Sequence, residues 1–170
     1  MPLPESLDAI TGDTDSRALR GTYGCFPSGV IALASMRGGA PVGLAASSFT
    51  SISVSPPIVM VSVQSTSTTW PLLADRPALG LSVLSSHQGA QCRQLAGPSA
   101  DRFSGVAWTS TEAGAVLLDD ALAWLVCSID RVIRAGDHEI VLLRVHQHAA
   151  ESGAPLVFHG SIFRSLTAIS

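Results

Sequence analysis

Short apolar segments separated by glycine, proline and serine follow one another along most of the chain. Some segments are continuous, and others alternate, as in residues 58–63, where Ile58, Met60 and Ser62 alternate with valines. Segments of this length, bounded by turn-forming residues, predict β-strands. The predicted strands are residues 30–36, 42–49, 58–63, 79–84, 121–133, 139–148 and 156–166.

Two other segments predict short helices. The Asp-Thr-Asp triplet at 13–15 contains N-capping residue types and predicts a helix that runs to about Tyr23. Residues 86–96 predict a second helix, which ends at Gly97 and Pro98.

The number of strands and the shortness of the helices predict a mainly β, antiparallel barrel that is closed or nearly closed. Hairpin turns are expected at 37–40 and at 134–138, where glycines interrupt the apolar segments. A parallel α/β sheet needs a helix between most strands, and this chain has too few. We expect one domain over residues 13–170, preceded by a flexible arm at 1–12.

The composition narrows the classes of partner. Only 14% of the 170 residues are charged, the net charge is −3, and the ten basic residues are scattered arginines. A nucleic-acid-binding protein would carry a clustered basic face, so we expect no nucleic acid. The chain has no signal-peptide pattern and no apolar stretch of membrane length, so we expect no membrane association. A surface with so few charges favours burial against a second subunit and predicts a homodimer.

The three cysteines, Cys25, Cys92 and Cys127, are far apart in the sequence. This spacing predicts neither a disulfide framework nor a zinc knuckle, and it favours a reducing, cytoplasmic setting. Cys127 lies in an apolar strand segment and is expected to be buried.

Common catalytic and nucleotide-binding motifs are missing: the sequence has no GxGxxG, P-loop, HExxH or GxSxG pattern. The densest remaining signal is the run GLAASSFTSIS at 43–53, followed by Pro56 and Pro57. Its small side chains would let a flat ligand approach the backbone. The alternative is an ordinary serine-rich edge strand.

Two further polar clusters could bind an anion. The run QSTSTT at 64–69 offers hydroxyl and backbone N–H groups as a phosphate nest, or it is simply a polar loop. The run SSHQ at 85–88 precedes the second predicted helix, whose N-terminal N–H groups could bind an anion. The alternative there is N-capping by Ser85 or Ser86.

The histidines also leave alternatives open. His138 follows Gly136 and Asp137 in a hairpin turn, where it could donate a hydrogen bond to a ligand or be incidental to the corner. His146 and His148 are two apart on a predicted strand and could begin a metal site, although no further ligand stands at an evident spacing.

Five motifs occur in one order over residues 17–166 and together resemble the short-chain flavin reductase family, the reductase components of two-component flavin monooxygenases. The motifs are YGCFPSGV at 23–30, GLAASSFTSIS with PP at 43–57, DRF at 101–103, GDH at 136–138 and PLVFHG at 155–160. The resemblance implies an FMN-binding split β-barrel of Greek-key type and a homodimer with flavin near the subunit boundary. It also implies reduction of FMN or FAD by NADH or NADPH. The reduced flavin would pass to a separate monooxygenase in a biosynthetic or aromatic-degradation pathway.

The resemblance also implies roles for individual residues. Those facing the isoalloxazine would be Ser28, Ala45, Ala46, Ser47 and Ser48. Those around the ribityl chain and phosphate would be Ser53, Gln64, Ser67, Ser86 and Gln88. Phe103 would wall the pocket, Phe158 would also contact the cofactor, and His138 would be the catalytic contact to the nicotinamide nucleotide. The chain departs from the family pattern at Ser82, where many members have Asn. It also lacks the Lys or Arg that is often found in the phosphate region of the family.

Two other functions remain open from the residues. One is a flavin- or haem-binding split barrel without reductase turnover. The other is a metal-dependent β-barrel enzyme that uses His146 and His148.

Overall fold

The computed structural model describes residues 15–98 and 101–166, so the predicted arm at 1–12 lies outside the described residues. The helices are α1 (Ser16–Tyr23), α2 (Trp70–Leu73) and α3 (Gly89–Ala96). The strands are β1 (Ser28–Gly29), β2 (Ile31–Arg37), β3 (Ala40–Ala46), β4 (Thr50–Val54), β5 (Pro57–Gln64), β6 (Leu79–Val83), β7 (Trp108–Ser110), β8 (Val116–Leu118), β9 (Ala123–Ala135), β10 (His138–Ala150), β11 (Val157–His159) and β12 (Ile162–Arg164). None of the described helices is long and apolar enough to cross a membrane.

The main sheet has seven strands in the order β3-β2-β6-β9-β10-β5-β4, and all its pairings are antiparallel. Its two edge strands, β3 and β4, are consecutive in the chain and are joined by residues 47–49 alone. Because three residues span only about 10 Å, the sheet must curl until its edges meet. The prediction of a mainly β, antiparallel barrel is confirmed.

Ser48 lies at the seam of the barrel, in the segment that joins the two edge strands, and it bonds to β5. Its hydroxyl donates to the carbonyl of Ser62 at 2.9 Å and accepts from the N–H of Ser62 at 3.0 Å. Thr50 pairs with Met60, so position 48 is the next step of the same ladder, opposite Ser62. The side chain therefore takes the place of a backbone partner at the end of β4.

Apolar residues fill the barrel and also cover its outside. Along β2, Ile31 and Leu33 belong to the barrel core, whereas Ala32 and the preceding Val30 belong to a second cluster under α3. Successive residues of a strand point to opposite faces, so burial of both faces explains why this segment is continuously apolar.

Several predicted elements match the structure. Asp15 caps α1, since its carboxylate accepts from the N–H groups of Arg17 and Ala18. Strands 30–36, 58–63, 79–84, 121–133 and 139–148 are found as β2, β5, β6, β9 and β10, with end shifts of up to two residues. Cys127 is fully buried, as expected.

Other predictions need correction. The strand predicted at 42–49 ends at Ala46, and residues 50–54 form the separate strand β4. The strand predicted at 156–166 is two short strands, because Gly160 and Ser161 turn the chain with φ of 57° and 65°. The helix predicted at 86–96 begins only at Gly89. The β7–β8 hairpin was not predicted.

Candidate functional site

A cleft of about 570 Å³ lies over the barrel seam. Its floor comes from the ends of β3 and β5. Its walls come from the loop before α2, the end of α3, and the β9–β10 turn. Its lining residues are Leu44, Ala45, Ala46, Ser47, Ser48, Ser62, Val63, Gln64, Thr66, Ser67, Thr68, Thr69, Leu95, Ala96, Arg102 and His138. No carboxylate is among them, although the chain as a whole carries a net charge of −3.

A second, mainly apolar cavity of about 270 Å³ adjoins the cleft. The two share four small residues, Ala45, Ala46, Ser47 and Ala96. Its other lining residues are Val30, Cys92, Arg93, Phe158 and Phe163. A ridge made only of small side chains lets one elongated ligand occupy both spaces.

Arg102 is the arginine of the cleft, and the sequence analysis did not place it there. Its Nε donates to the carbonyl of Gly97 at 2.9 Å, and its NH1 donates to the carbonyl of Gly43 at 2.9 Å and to the hydroxyl of Thr69. Burial lowers the pKa of Arg102 from its ordinary value, but an arginine in a protein stays protonated. The chain lacks the Lys or Arg that the family often has in the phosphate region, and Arg102, 59 positions beyond Gly43, brings a cation to the cleft.

Hydrogen bonds at both ends hold the polar loop at 64–69 in place. The hydroxyl of Ser67 accepts from the N–H groups of Thr69 and Trp70, at 3.3 and 3.1 Å, so it holds the first turn of α2. The N–H of Ser65 donates to the carbonyl of Asp137 at 2.9 Å, which ties the loop to the β9–β10 turn. Thr66 and Thr68 line the cleft between these two anchors.

His138 lines the cleft next to this loop, and its side chain is 36% exposed. Its Nδ1 lies 2.8 Å from a carboxylate oxygen of Asp137, and this hydrogen bond, with the charge of the imidazole, lowers the pKa of Asp137. A carboxylate can only accept, so it holds a proton on Nδ1. The Nε2 atom is then the ring nitrogen left to form a hydrogen bond with a ligand.

The structure brings eight predicted site residues together, and five lie elsewhere. Those that line the cleft or the adjoining cavity are Ala45, Ala46, Ser47, Ser48, Gln64, Ser67, Phe158 and His138. Those that line neither are Ser28, Ser53, Ser86, Gln88 and Phe103. Ser28 pairs with Phe158 beside the smaller cavity, and Ser53 pairs with Ile58 in the sheet.

Gln88 and Phe103 have structural contacts instead. Gln88 is 3% exposed; its amide oxygen accepts from the N–H of Ser85 at 3.0 Å, and its amide nitrogen donates to the carbonyl of Asp119 at 2.8 Å. Both ends of the Gln88 amide are thus bonded to the protein backbone, and neither Ser85 nor Ser86 caps α3, whose N-cap is Gln88. Phe103 packs at Gly43, where an added Cβ would lie 2.9 Å from its ring.

Ser82, at the position where the family often has Asn, is fully buried. Its hydroxyl accepts from the N–H of Leu118 at 3.0 Å, so the residue holds the β7–β8 hairpin and does not reach the cleft.

The metal alternative finds no support in the described residues. The Nε2 of His146 lies 2.7 Å from the hydroxyl of Ser128. Within residues 15–98 and 101–166, no three His, Cys, Asp or Glu side chains lie close enough together to hold a metal ion. His146 and His148 therefore stay without the further ligands that a metal site needs.

Comparison with known proteins agrees with this geometry. Residues 23–167 match the family model of the flavin reductase like domain. A Rhizobium meliloti protein named "Probable flavin reductase" is 37% identical over 132 residues, which are 77% of this chain but 42% of that relative, so the chain spans less than half of its length. The reductase subunit of a flavin-dependent monooxygenase from Rhodococcus jostii is 30% identical over 161 residues, covering 90% of this chain and 83% of that protein. The solved structure of a Streptomyces globisporus NADH:FAD oxidoreductase, in complex with NAD and FAD fragments, superimposes with a TM-score of 0.85 at 35% identity, covering 90% of this chain and 93% of that one. The chain belongs to the flavin reductase-like domain family.

Proposed function

We propose that this protein reduces free FMN or FAD with NADH or NADPH and passes the reduced flavin to a separate flavin-dependent monooxygenase. The observation that carries the proposal is the cleft itself. It joins a cation and a hydroxyl-rich loop to an apolar cavity across a ridge of small side chains, and no carboxylate lines it. The relatives named as a flavin reductase and as a monooxygenase reductase subunit support the same activity.

The residues present fit a flavin. Ala45, Ala46 and Ser47 leave space above the edge strand β3, whose outer backbone groups face no strand of the sheet. These groups could bond to the carbonyl and nitrogen edge of a flat ring. Arg102, together with Thr66 and Thr68, offers the charge and the hydrogen-bond donors that a phosphate requires. A bound flavin supplies the hydride-accepting ring, and the protein contributes binding and orientation.

We assign His138 to the nicotinamide nucleotide. Asp137 accepts from Nδ1, which leaves Nε2 as the ring atom that can form a hydrogen bond with the carboxamide of the nucleotide. No nucleophile or acid–base pair is required of the protein for hydride transfer, which agrees with a cleft that is lined by hydroxyl, alkyl and cationic groups.

The homodimer and the cytoplasmic setting remain part of this proposal. Tyr23 and Phe26 are 68% and 79% exposed, and Ile162 is 49% exposed. The hydrogen bond from the N–H of Gly160 to the carbonyl of Gly24 brings these segments together. An apolar surface of this kind favours a second subunit, and a monomeric mass by light scattering at micromolar concentration would contradict the dimer. The three free cysteines are in keeping with a reducing compartment.

The direct test measures NADH and NADPH oxidation with FMN, FAD and riboflavin as acceptors. We expect turnover with at least one nucleotide and one phosphate-bearing flavin. Binding of flavin without bleaching of its visible absorbance on addition of either nucleotide would instead favour the carrier alternative. Failure to bind any flavin would overturn the proposal.

Arg102→Gln tests the anion end of the cleft. Loss of a charge-assisted hydrogen bond should weaken FMN binding by about 10- to 100-fold and should change riboflavin binding much less, since riboflavin has no phosphate. Arg131→Gln, on the exposed part of β9, is the matched control and should bind both flavins as the wild type does. Equal losses for FMN and riboflavin would contradict the assignment of Arg102 to the phosphate.

A further inference from the structure

One hydrogen bond beneath the cleft joins two groups that do not line it. The indole Nε1 of Trp70 donates to a carboxylate oxygen of Glu139 at 2.6 Å. Trp70 is 5% exposed and plugs the barrel core, and Glu139 pairs with Val63, a residue that is 5% exposed. Because side chains of a cross-strand pair lie on the same face, Glu139 is directed toward the barrel interior at the end that α2 covers.

On one side, this bond continues into the anion-binding loop. Trp70 directly follows Thr69, whose hydroxyl accepts from Arg102. The backbone N–H groups of Thr69 and Trp70 both donate to Ser67. Trp70 is therefore next to the last residue of the loop, Thr69, which is also a hydrogen-bond partner of Arg102.

On the other side, the bond continues into the nicotinamide end of the site. Glu139 directly follows His138, and the carbonyl of Asp137 accepts from the N–H of Ser65. The loop from Ser65 to Trp70 is thus tied at both of its ends to one three-residue segment, Asp137 to Glu139.

We propose that Glu139 is a positioning residue, which holds the anion-binding loop and Arg102 in place through Trp70. The identity of the anion, a flavin phosphate, rests on the proposed function. The role of Glu139 in holding the loop does not. Removing the carboxylate of Glu139 leaves the nearly buried indole N–H of Trp70 without a partner. The hydrogen bond that fixes the orientation of the indole ring is then lost. A small displacement of the Arg102 guanidinium would strongly reduce its contribution to anion binding, because that contribution depends on a pre-set geometry.

The variants separate positioning from bulk stability. Glu139→Met keeps the length of the side chain and removes the acceptor, and Glu139→Gln keeps an acceptor oxygen. Glu112→Met, in an exposed turn away from the cleft, is the control for the same exchange. Trp70→Phe removes the N–H and keeps an aromatic ring, so it provides a second route should Glu139→Met fold poorly.

The first measurement needs no ligand. Hydrogen exchange of the Trp70 indole and of the amides of Thr69 and Trp70 should be slow in the wild type and in Glu139→Gln, and at least about tenfold faster in Glu139→Met. Unchanged exchange in Glu139→Met would overturn the proposal, whatever the ligand of the cleft is.

The second measurement compares dissociation constants for FMN and riboflavin. Glu139→Met and Trp70→Phe should each weaken FMN binding by about tenfold while riboflavin changes by less than about twofold, and Glu139→Gln should restore FMN binding. Equal losses for both flavins would reduce Glu139 to a stabilising residue and overturn its positioning role. A wild type that binds neither flavin would overturn the proposed function, and the exchange measurement would still decide the role of Glu139.

Discussion

Replacing Ser48 with alanine should destabilise the barrel at its seam. The Ser48 hydroxyl both donates to and accepts from the backbone of Ser62, at 2.9 and 3.0 Å. Alanine removes both bonds and places a methyl group against a polar N–H and a polar carbonyl. The resemblance to the family places Ser48 at the flavin; in the structure Ser48 lines the cleft, and its hydroxyl bonds to the backbone of Ser62.

The size of the effect follows from the two lost bonds. A neutral hydrogen bond contributes about 0.5–1.5 kcal/mol net, and a buried polar group left without a partner costs about 1–3 kcal/mol. The seam is half-buried and water can replace part of the loss, so we expect a decrease of about 2 kcal/mol in the free energy of unfolding. For a domain of this size that corresponds to a decrease of about 4–8 °C in Tm.

Urea unfolding of three variants measures the contribution. Ser48→Ala should lower the midpoint at an unchanged slope, and Ser48→Thr, which keeps a hydroxyl, should recover most of the loss. Ser47→Ala, at the exposed neighbouring position, should stay within about 0.5 kcal/mol of the wild type. A Ser48→Ala protein as stable as Ser47→Ala would refute the view that side-chain hydrogen bonding closes the barrel.

Three further outcomes can be measured on the same protein. His138→Ala should raise KM for NADH by about several-fold to tens-fold and leave the flavin Kd nearly unchanged, and the opposite pattern would make His138 a flavin ligand. Burial raises the pKa of the Cys127 thiol to about 12, so in the folded protein iodoacetamide should alkylate the exposed Cys25 first, and early labelling of Cys127 would contradict its burial. The hydrogen bond from Arg76 lowers the pKa of Asp75 to about 2, from an ordinary 3.8. The stabilising contribution of the Asp75 carboxylate is therefore complete above about pH 4 and is lost as the pH falls toward 2. The Tm difference between the wild type and Asp75→Asn should be larger at pH 6 than near pH 2, and an equal difference at both pH values would contradict this.

The strands with strong apolar patterns were predictable, and those set by tertiary context were not. β2 and β5 are buried on one or both faces, and burial leaves a clear pattern in the sequence. β4 has the sequence TSISV with four of five residues exposed, so its pattern resembles a loop. It is a strand because the two-residue turn at 55–56 folds it back to pair with β5, and this pairing leaves no apolar pattern in β4 itself.

The same distinction applies to the site. The small residues of the ridge, Ala45, Ala46 and Ser47, are consecutive, so their local composition raised the possibility of a ligand site beside that of an ordinary edge strand, and in the structure they line both cavities. Arg102 was missed as the cation of the cleft, since it stands 38 residues after Gln64 and reaches the loop only through packing. The resemblance to the family places Gln88 near the ligand, but a sequence match does not tell a ligand contact from a buried amide that bonds to the backbone, as Gln88 does here.

The closure of the barrel and the presence of the cleft have one structural cause. Because residues 47–49 carry the chain from one edge of the sheet to the other, β3 approaches β5 without a continuous backbone ladder, and the Ser48 hydroxyl in the joining segment bonds to the backbone of Ser62 in β5. Because β3 is an edge strand of the sheet, its outer backbone groups face no further strand, and the carbonyl of Gly43 accepts from Arg102. An exposed sheet edge is normally a liability that a protein must cover. Under the proposed function, that edge is left to a flat, hydrogen-bonding ligand, which would account for the small side chains that line the cleft there.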